Sequence, residues 1–198
     1  MIKLAIIDVE TTGLNHWTHC PWSLTARFYP NPVTLTLKFK PLEGAQIDAE
    51  ALKVGGVTTE ELATFEAPLI AYQKFVSVLS SRIDKYNKSD KLHFVGYNAR
   101  FDMDFLRSWF SRQGDKFFGS WFWFPPIDVM ALAAVELMDH RAALADFKLA
   151  TVAHYFGMEV DKEKLHIAEY DVELTDQLFR WLKPNVLSPE PAPAQPAA

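Results

Sequence analysis

An α/β fold with a mixed central β-sheet flanked by helices is predicted by three observations. The chain opens on an apolar run that is oily on both faces, as a central strand requires. Strand-like segments come first and then alternate with helical ones, the order expected of a mixed sheet. The 198 residues, 49% apolar and 23% charged, suffice for one domain with a real core, and no internal repeat divides them.

The first strand is "MIKLAIIDVE". Its period of two puts Leu4, Ile6, Asp8 and Glu10 on one face and Ala5, Ile7 and Val9 on the other. Thr12 and Gly13 then supply turn chemistry, so the two acids fall at the strand's carboxyl end, where open α/β sheets keep their ligands. Residues 15–32, with Trp17, Pro21, Trp22, Pro30 and Pro32, read as irregular. "VTLTLKFKP" alternates as a strand. Thr58 and Glu61 have capping-box spacing and open one helix running to Ile83, with a stripe through Leu69, Phe75, Val76 and Leu79. "KLHFVGYN" reads as a short strand leading into a helix from Ala99 to about Arg112. "WFWFPPIDVM" reads as a strand ended by Pro125 and Pro126, followed by an apolar helix over 129–138. "FKLATVAHYFGM" is a helix stopped by Gly157, and a last helix runs from about Ile167 to Leu182. The domain is therefore drawn as 1–183. From Pro184 onward, five prolines in fifteen residues predict a disordered Pro/Ala-rich tail, 184–198.

A formal charge of -5 argues against a protein that holds nucleic acid through one broad basic face, and leaves local basic patches open. The single cysteine, Cys20, rules out an internal disulfide and a multi-cysteine zinc site. His16, His19 and Cys20 lack a fourth zinc ligand. The amino-terminal run is cut by Asp8 and is no signal peptide, and no apolar run approaches spanning length, so the expectation is a cytoplasmic protein with no membrane association.

Two further acids stand where apolar side chains belong. On the helix from Ala99, Asp102 falls in the middle of the arc formed by Phe101, Met103, Phe105, Leu106, Trp109 and Phe110. Asp104 lies opposite, at ion-pair spacing from Arg100 and Arg107. On the last helix, Asp171 sits at the centre of the stripe of Ile167, Leu174, Leu178, Trp181 and Leu182. A buried unpaired carboxylate is costly, so each acid needs a partner. The partner is either a helix end or an arginine such as Arg141, or a cation. Asp8, Glu10, Asp102 and Asp171, delivered from one strand and two helices, are jointly accounted for by a pair of hard divalent ions. His166, five residues before Asp171, would lie about 140° away on a continuous helix, so it belongs to the preceding loop, as an exposed histidine or as a general base.

With those residues in view, the chain resembles the histidine branch of the DEDD (DnaQ-like) exonuclease superfamily, which includes the epsilon proofreading subunit of DNA polymerase III and ribonuclease T. The resemblance rests on "DVETTGL" from Asp8 to Leu14, "YNARFD" ending at Asp102, and "HIAEYD" from His166 to Asp171, in that order. "LKVGGVTTEEL" and "PPIDVMALA" resemble the family's connecting segments. The resemblance implies a ribonuclease H-like fold in which Asp8, Glu10, Asp102 and Asp171 hold two Mg²⁺ or Mn²⁺ ions. It further implies that His166 takes the proton of the attacking water, and that nucleoside 5′-monophosphates are released from nucleic acid 3′ ends. The backbone of Thr11, Thr12, Gly13 and Leu14 would line the terminal nucleotide, and Asn98 would cap the helix that carries Asp102. Two departures are noted: an irregular insert in place of a tidy second strand, and a tyrosine before Asn98 where histidine is frequent. The leading expectation is a 3′-to-5′ exonuclease on single-stranded or frayed DNA ends, of a proofreading or repair type. The alternatives are trimming of RNA 3′ ends, and a non-catalytic module that binds nucleic acid ends or a polymerase partner. The tail reads as an inert terminus first, with a tether to such a partner as the alternative.

Overall fold

The computed structural model describes residues 2–161 and 163–187. Five strands, β1 (Leu4–Thr11), β2 (Pro21–Tyr29), β3 (Val33–Lys38), β4 (His93–Gly96) and β5 (Ile127–Asp128), form one sheet in the order β3-β2-β1-β4-β5. β2 runs antiparallel to β1 and β3 antiparallel to β2, while β4 pairs parallel with β1 and β5 parallel with β4. The sheet is thus mixed, with the doubly apolar first strand at its centre, as its sequence demands.

The described residues hold seven α-helices: α1 (Ala49–Val54), α2 (Thr59–Thr64), α3 (Pro68–Arg82), α4 (Ala99–Arg112), α5 (Val129–Glu136), α6 (Leu149–Tyr155) and α7 (Ala168–Leu182). Of these, α3 to α7 cover the two sheet faces, while Leu52 of α1 and Leu62 of α2 form a small separate cluster with Trp22. Ala5, Ile7 and Val9 pack with Phe75 and Leu79 of α3 and with Met103, Leu106 and Trp109 of α4. Leu4 and Ile6 face the other way, against Val129 and Ala133 of α5, Val152 of α6, and Val172, Leu178 and Phe179 of α7. Each alternate side chain of β1 therefore belongs to a different core.

Three segments depart from the sequence reading. Residues 21–29, read as irregular, form β2, which is buried along nearly its whole length. Two-sided burial erases the alternation that signals a half-wet strand, and the flanking prolines, tolerated at a strand's first residue, disguise its ends. The helix expected from Thr58 to Ile83 is two helices. Thr58 does make the capping box with Glu61, but α2 ends before Phe65 and α3 restarts with Pro68 in its first turn. The strand expected at "WFWF" shrinks to a single bridge from Phe122 to Leu92, preceded by a 3-10 turn at Phe118–Ser120, and the paired residues Ile127–Asp128 follow the prolines. Phe118, Trp121 and Phe122 are nonetheless core, while Phe117 and Phe124 stand in solvent. The tail begins in packed chain, because Val186 and Leu187 lie against the α7 core. The rest of it, 188–198, to which the tether reading is attached, lies outside the described residues.

α7 is fastened to the sheet by polar contacts as well. Asp176, buried in the apolar face of α7, accepts hydrogen bonds from the Tyr29 hydroxyl at 2.8 Å and from Arg180 Nε at 3.0 Å, and lies 3.5 Å from Arg27 Nε. Removing one member of a buried charge network leaves the others unpaired and costs about 3 kcal/mol. Asp176→Ala is expected to lower unfolding free energy by that amount in urea titrations, and a change below about 1 kcal/mol would show that the contacts carry little.

Candidate active site

The end of β1 is built to lose its ladder partner. Pairing between β1 and β4 stops at Ile6 opposite Val95. Beyond it the Val9 N–H donates instead to Asp102 Oδ1, at 3.1 Å. Asp102, in the first turn of α4 and only 3% exposed, is thereby fixed in the crevice beyond the ends of β1 and β4. On the other side β1 pairs with β2 as far as Glu10 opposite Ser23, and the register then slips before Thr11. Such bulges bend a strand and re-aim its side chains beside functional sites.

Asp8, Glu10 and Asp171 each present a carboxylate oxygen, and the three oxygens lie within 4.8 Å of one another. Asp171 reaches this place from the first turn of α7. Burial pushes the Asp8 carboxyl well above the usual range, with repulsion from Asp102, Glu10 and Asp171 adding to it. Burial, followed by repulsion from Asp171 and Glu169, raises Glu10 to about 7, partly offset by Lys38. Asp102 rises to about 8 through burial, against the opposing Val9 N–H bond. Asp171 rises to about 6, again through burial, with His166 pulling the other way.

The arginine alternative fails. Among the described residues none of the four acids forms an ion pair, and the Arg141 guanidinium lies 3.5 Å above the Phe147 ring. Oxygen donors alone, crowded and uncompensated, suit a hard divalent cation. Asp8, Glu10 and Asp171 would hold one, and Asp102, close enough to repel Asp8, would contribute to a second. Zinc at His16, His19 and Cys20 finds no support: Cys20 is buried with its sulfur accepting from the Leu42 N–H, and the His19 ring packs on Gly13.

His166 is exposed and lies outside α7, with a positive φ of 66° that turns the loop into the helix. It borders a cavity of about 390 Å³ together with Glu10, Trp22, Ser23, Lys38 and Gly55. Gly55 is required there, because a Cβ would come within 2.8 Å of the Trp22 ring and 3.3 Å of Glu10 Oε2.

The remaining predicted site residues divide by exposure. Thr12 is fully buried, and its N–H and hydroxyl donate to Cys20 O and Gln46 O while its carbonyl accepts from Asp48. It braces the loop, and its buried side chain is spent on those bonds, leaving the backbone of this stretch as the part that could meet a ligand. Thr11 is also buried and donates to Gly13 O. A Cβ on Gly13 would strike the His19 ring at 2.2 Å. Leu14, 82% exposed, is the one of the four whose side chain stands in solvent. Asn98 occupies the cap position of α4 but makes no side-chain capping bond, which corrects its reading as a capping side chain. It adopts the left-handed conformation, φ 62°, which asparagine tolerates, and its N–H donates to Asp128 Oδ1. Trp22, beside this site, is buried against Phe65, and His154 is exposed.

Asp128 escaped the sequence reading. It joins Asn98 to α5 by also accepting from the Met130 N–H, and its place before an apolar run was the available signal of a helix cap. Lys38 was missed because a strand-end lysine carries no signal of its own.

A cluster of carboxylate oxygens able to hold a metal, at the carboxyl end of a central strand in a ribonuclease H-like sheet, points to the class. No family model matches the chain. Ribonuclease T of Hahella chejuensis (strain KCTC 2396) is 27% identical over 191 residues, covering 89% of this chain and 83% of that protein. The zinc ion-bound E. coli exonuclease I–ssDNA complex superposes with a TM-score of 0.72 at 19% identity, over 93% of this chain and 42% of that one. The complex of the same enzyme with a dT13 oligonucleotide gives 0.72 and 19% over 94% and 42%. This chain therefore spans about two-fifths of exonuclease I, 42% of its length, and the structural likeness establishes the fold. The chain is a homologue of ribonuclease T with the fold of exonuclease I, and it fits the DnaQ-like DEDD superfamily that its three motifs resemble.

The raised carboxyls set a sign for stability against pH. Their folded values, about 6 to about 8, exceed unfolded values near ~4, so the unfolded chain releases protons first and stability drains away as pH rises across that interval. In chelator the melting temperature is expected to fall from pH 5.5 to pH 8, with a flatter slope for Asp8→Asn. Millimolar Mg²⁺ or Mn²⁺ should restore it at pH 8. Identical slopes for the two proteins would contradict the assignment.

Proposed function

We propose that this chain is a divalent-metal-dependent 3′-to-5′ exonuclease that releases nucleoside 5′-monophosphates from single-stranded or frayed DNA ends. The observation that carries the reading is the convergence of Asp8, Glu10 and Asp171 within 4.8 Å, with Asp102 beside them and, among the described residues, no ion pair to any of the four. Two Mg²⁺ or Mn²⁺ ions, when bound, supply charge stabilisation at the attacking and leaving oxygens.

The chain's own groups supply the rest. His166, exposed at the rim of the Glu10 cavity, accepts the proton of the attacking water on its imidazole. Asp102 holds Val9 and so sets the direction in which Asp8 leaves the strand. Leu14 offers an apolar face to the terminal base, and the backbone of Gly13, kept in place by Thr11 and Thr12, lines the same end. The Asn98 side chain, unspent on capping, is available to the nucleotide from the α4 side.

A second reading, trimming of RNA 3′ ends, is favoured by the ribonuclease T relative. The same chemistry serves both sugars, and discrimination at the 2′-hydroxyl is a local matter. Matched 5′-labelled DNA and RNA oligomers with Mg²⁺ separate the two by their rates of shortening. Asp8→Ala and Asp171→Ala are expected to abolish nucleotide release with the fold retained, and His166→Ala to lower kcat roughly 10²–10⁴-fold. Substantial activity in either aspartate variant would sink the metal-site reading, and near-normal turnover without His166 would assign the proton to another group.

A further inference from the structure

The sheet's register carries one more group toward the carboxylates. Glu10 on β1 stands opposite Ser23 on β2, and Ser23 stands opposite Lys38 on β3. Residues directly opposite one another in a ladder project to the same face, so Glu10, Ser23 and Lys38 form a row across three strands. All three border the cavity of about 390 Å³ that His166 also borders.

Glu163 and Glu169 line that cavity as well, and among the described residues Lys38 is the one lysine or arginine in its lining. Among the described residues Lys38 makes no ion pair within 4.0 Å. Its charge nevertheless reaches Glu10 and Glu61, lowering both. A phosphate monoester carries about −1.5 to −2 charges near neutrality, and walls made of Glu10, Glu163 and Glu169 repel it. A compact ammonium on a flexible stem is suited to receive such a group as a point charge.

We propose that Lys38 is a phosphate-binding residue of this cavity, receiving the 5′-phosphate of the nucleoside monophosphate released beside His166. The inference rests on the exonuclease reading and adds a product site to it. Lys38 lies on an edge strand with its side chain exposed, so its replacement leaves the core untouched.

The test is inhibition of oligomer shortening by added thymidine 5′-monophosphate, with thymidine as the control that lacks phosphate. Lys38→Met is expected to raise the inhibition constant for the monophosphate about tenfold, with thymidine unaffected and Lys38→Arg close to wild type. An unchanged constant overturns the proposal, as does an equal change for thymidine. A shift in the acid limb of the pH–rate profile with the constant unchanged also overturns it, by confining Lys38 to an effect on Glu10. Calorimetric titration of thymidine 5′-monophosphate into wild type and Lys38→Met makes the same comparison without turnover. Failure of the wild type to shorten any oligomer would sink the exonuclease reading separately, while the titration still decides the lysine's role.

Discussion

The organising constraint of this molecule is electrostatic: several carboxylates are confined together where water is scarce, and among the described residues none of them forms an ion pair. Like charges in such a setting either take up protons or gather cations. Everything around them keeps them from separating. β1 delivers two, the crevice past β4 holds a third by a backbone N–H, and α7 brings the fourth across the sheet.

That arrangement needs rigidity in elements that do not touch a ligand. The Asp176 contacts with Tyr29, Arg180 and Arg27 fasten α7 to β2 one and a half turns beyond Asp171. Thr12 performs the equivalent service for the loop after β1, since its backbone and hydroxyl join three separate stretches of chain. On the open side of the site the polarity changes. Exposed His166 and Lys38 share a cavity with Glu10, so the carboxylates are backed by apolar walls and fronted by groups able to handle protons and phosphates.

Much of this was legible because misplaced chemistry stands out against a regular pattern. Asp102 and Asp171 interrupt apolar stripes, and Asp8 ends a strand with two oily faces, so the acids betrayed themselves before any coordinates. What stayed hidden obeys the opposite logic. β2 is buried on both sides, and its lack of alternation made "PWSLTARFY" look like loop. Asn98 sits at a cap position in a conformation that its side chain does not stabilise by capping, which no spacing rule reveals. Lys38 matters only through pairing across two neighbouring strands, a relation fixed by register and therefore absent from local sequence.

β1 is a partition between two apolar compartments, with Ala5, Ile7 and Val9 set into one and Leu4 and Ile6 into the other. Its acidic tip works like the end of a lever clamped between two blocks. A vacancy opened in either block tilts the lever before the blocks come apart, so remote packing defects register first as misaimed oxygens. Sequence drift in both interiors is thus policed by the same few atoms, and neither compartment is free to repack alone.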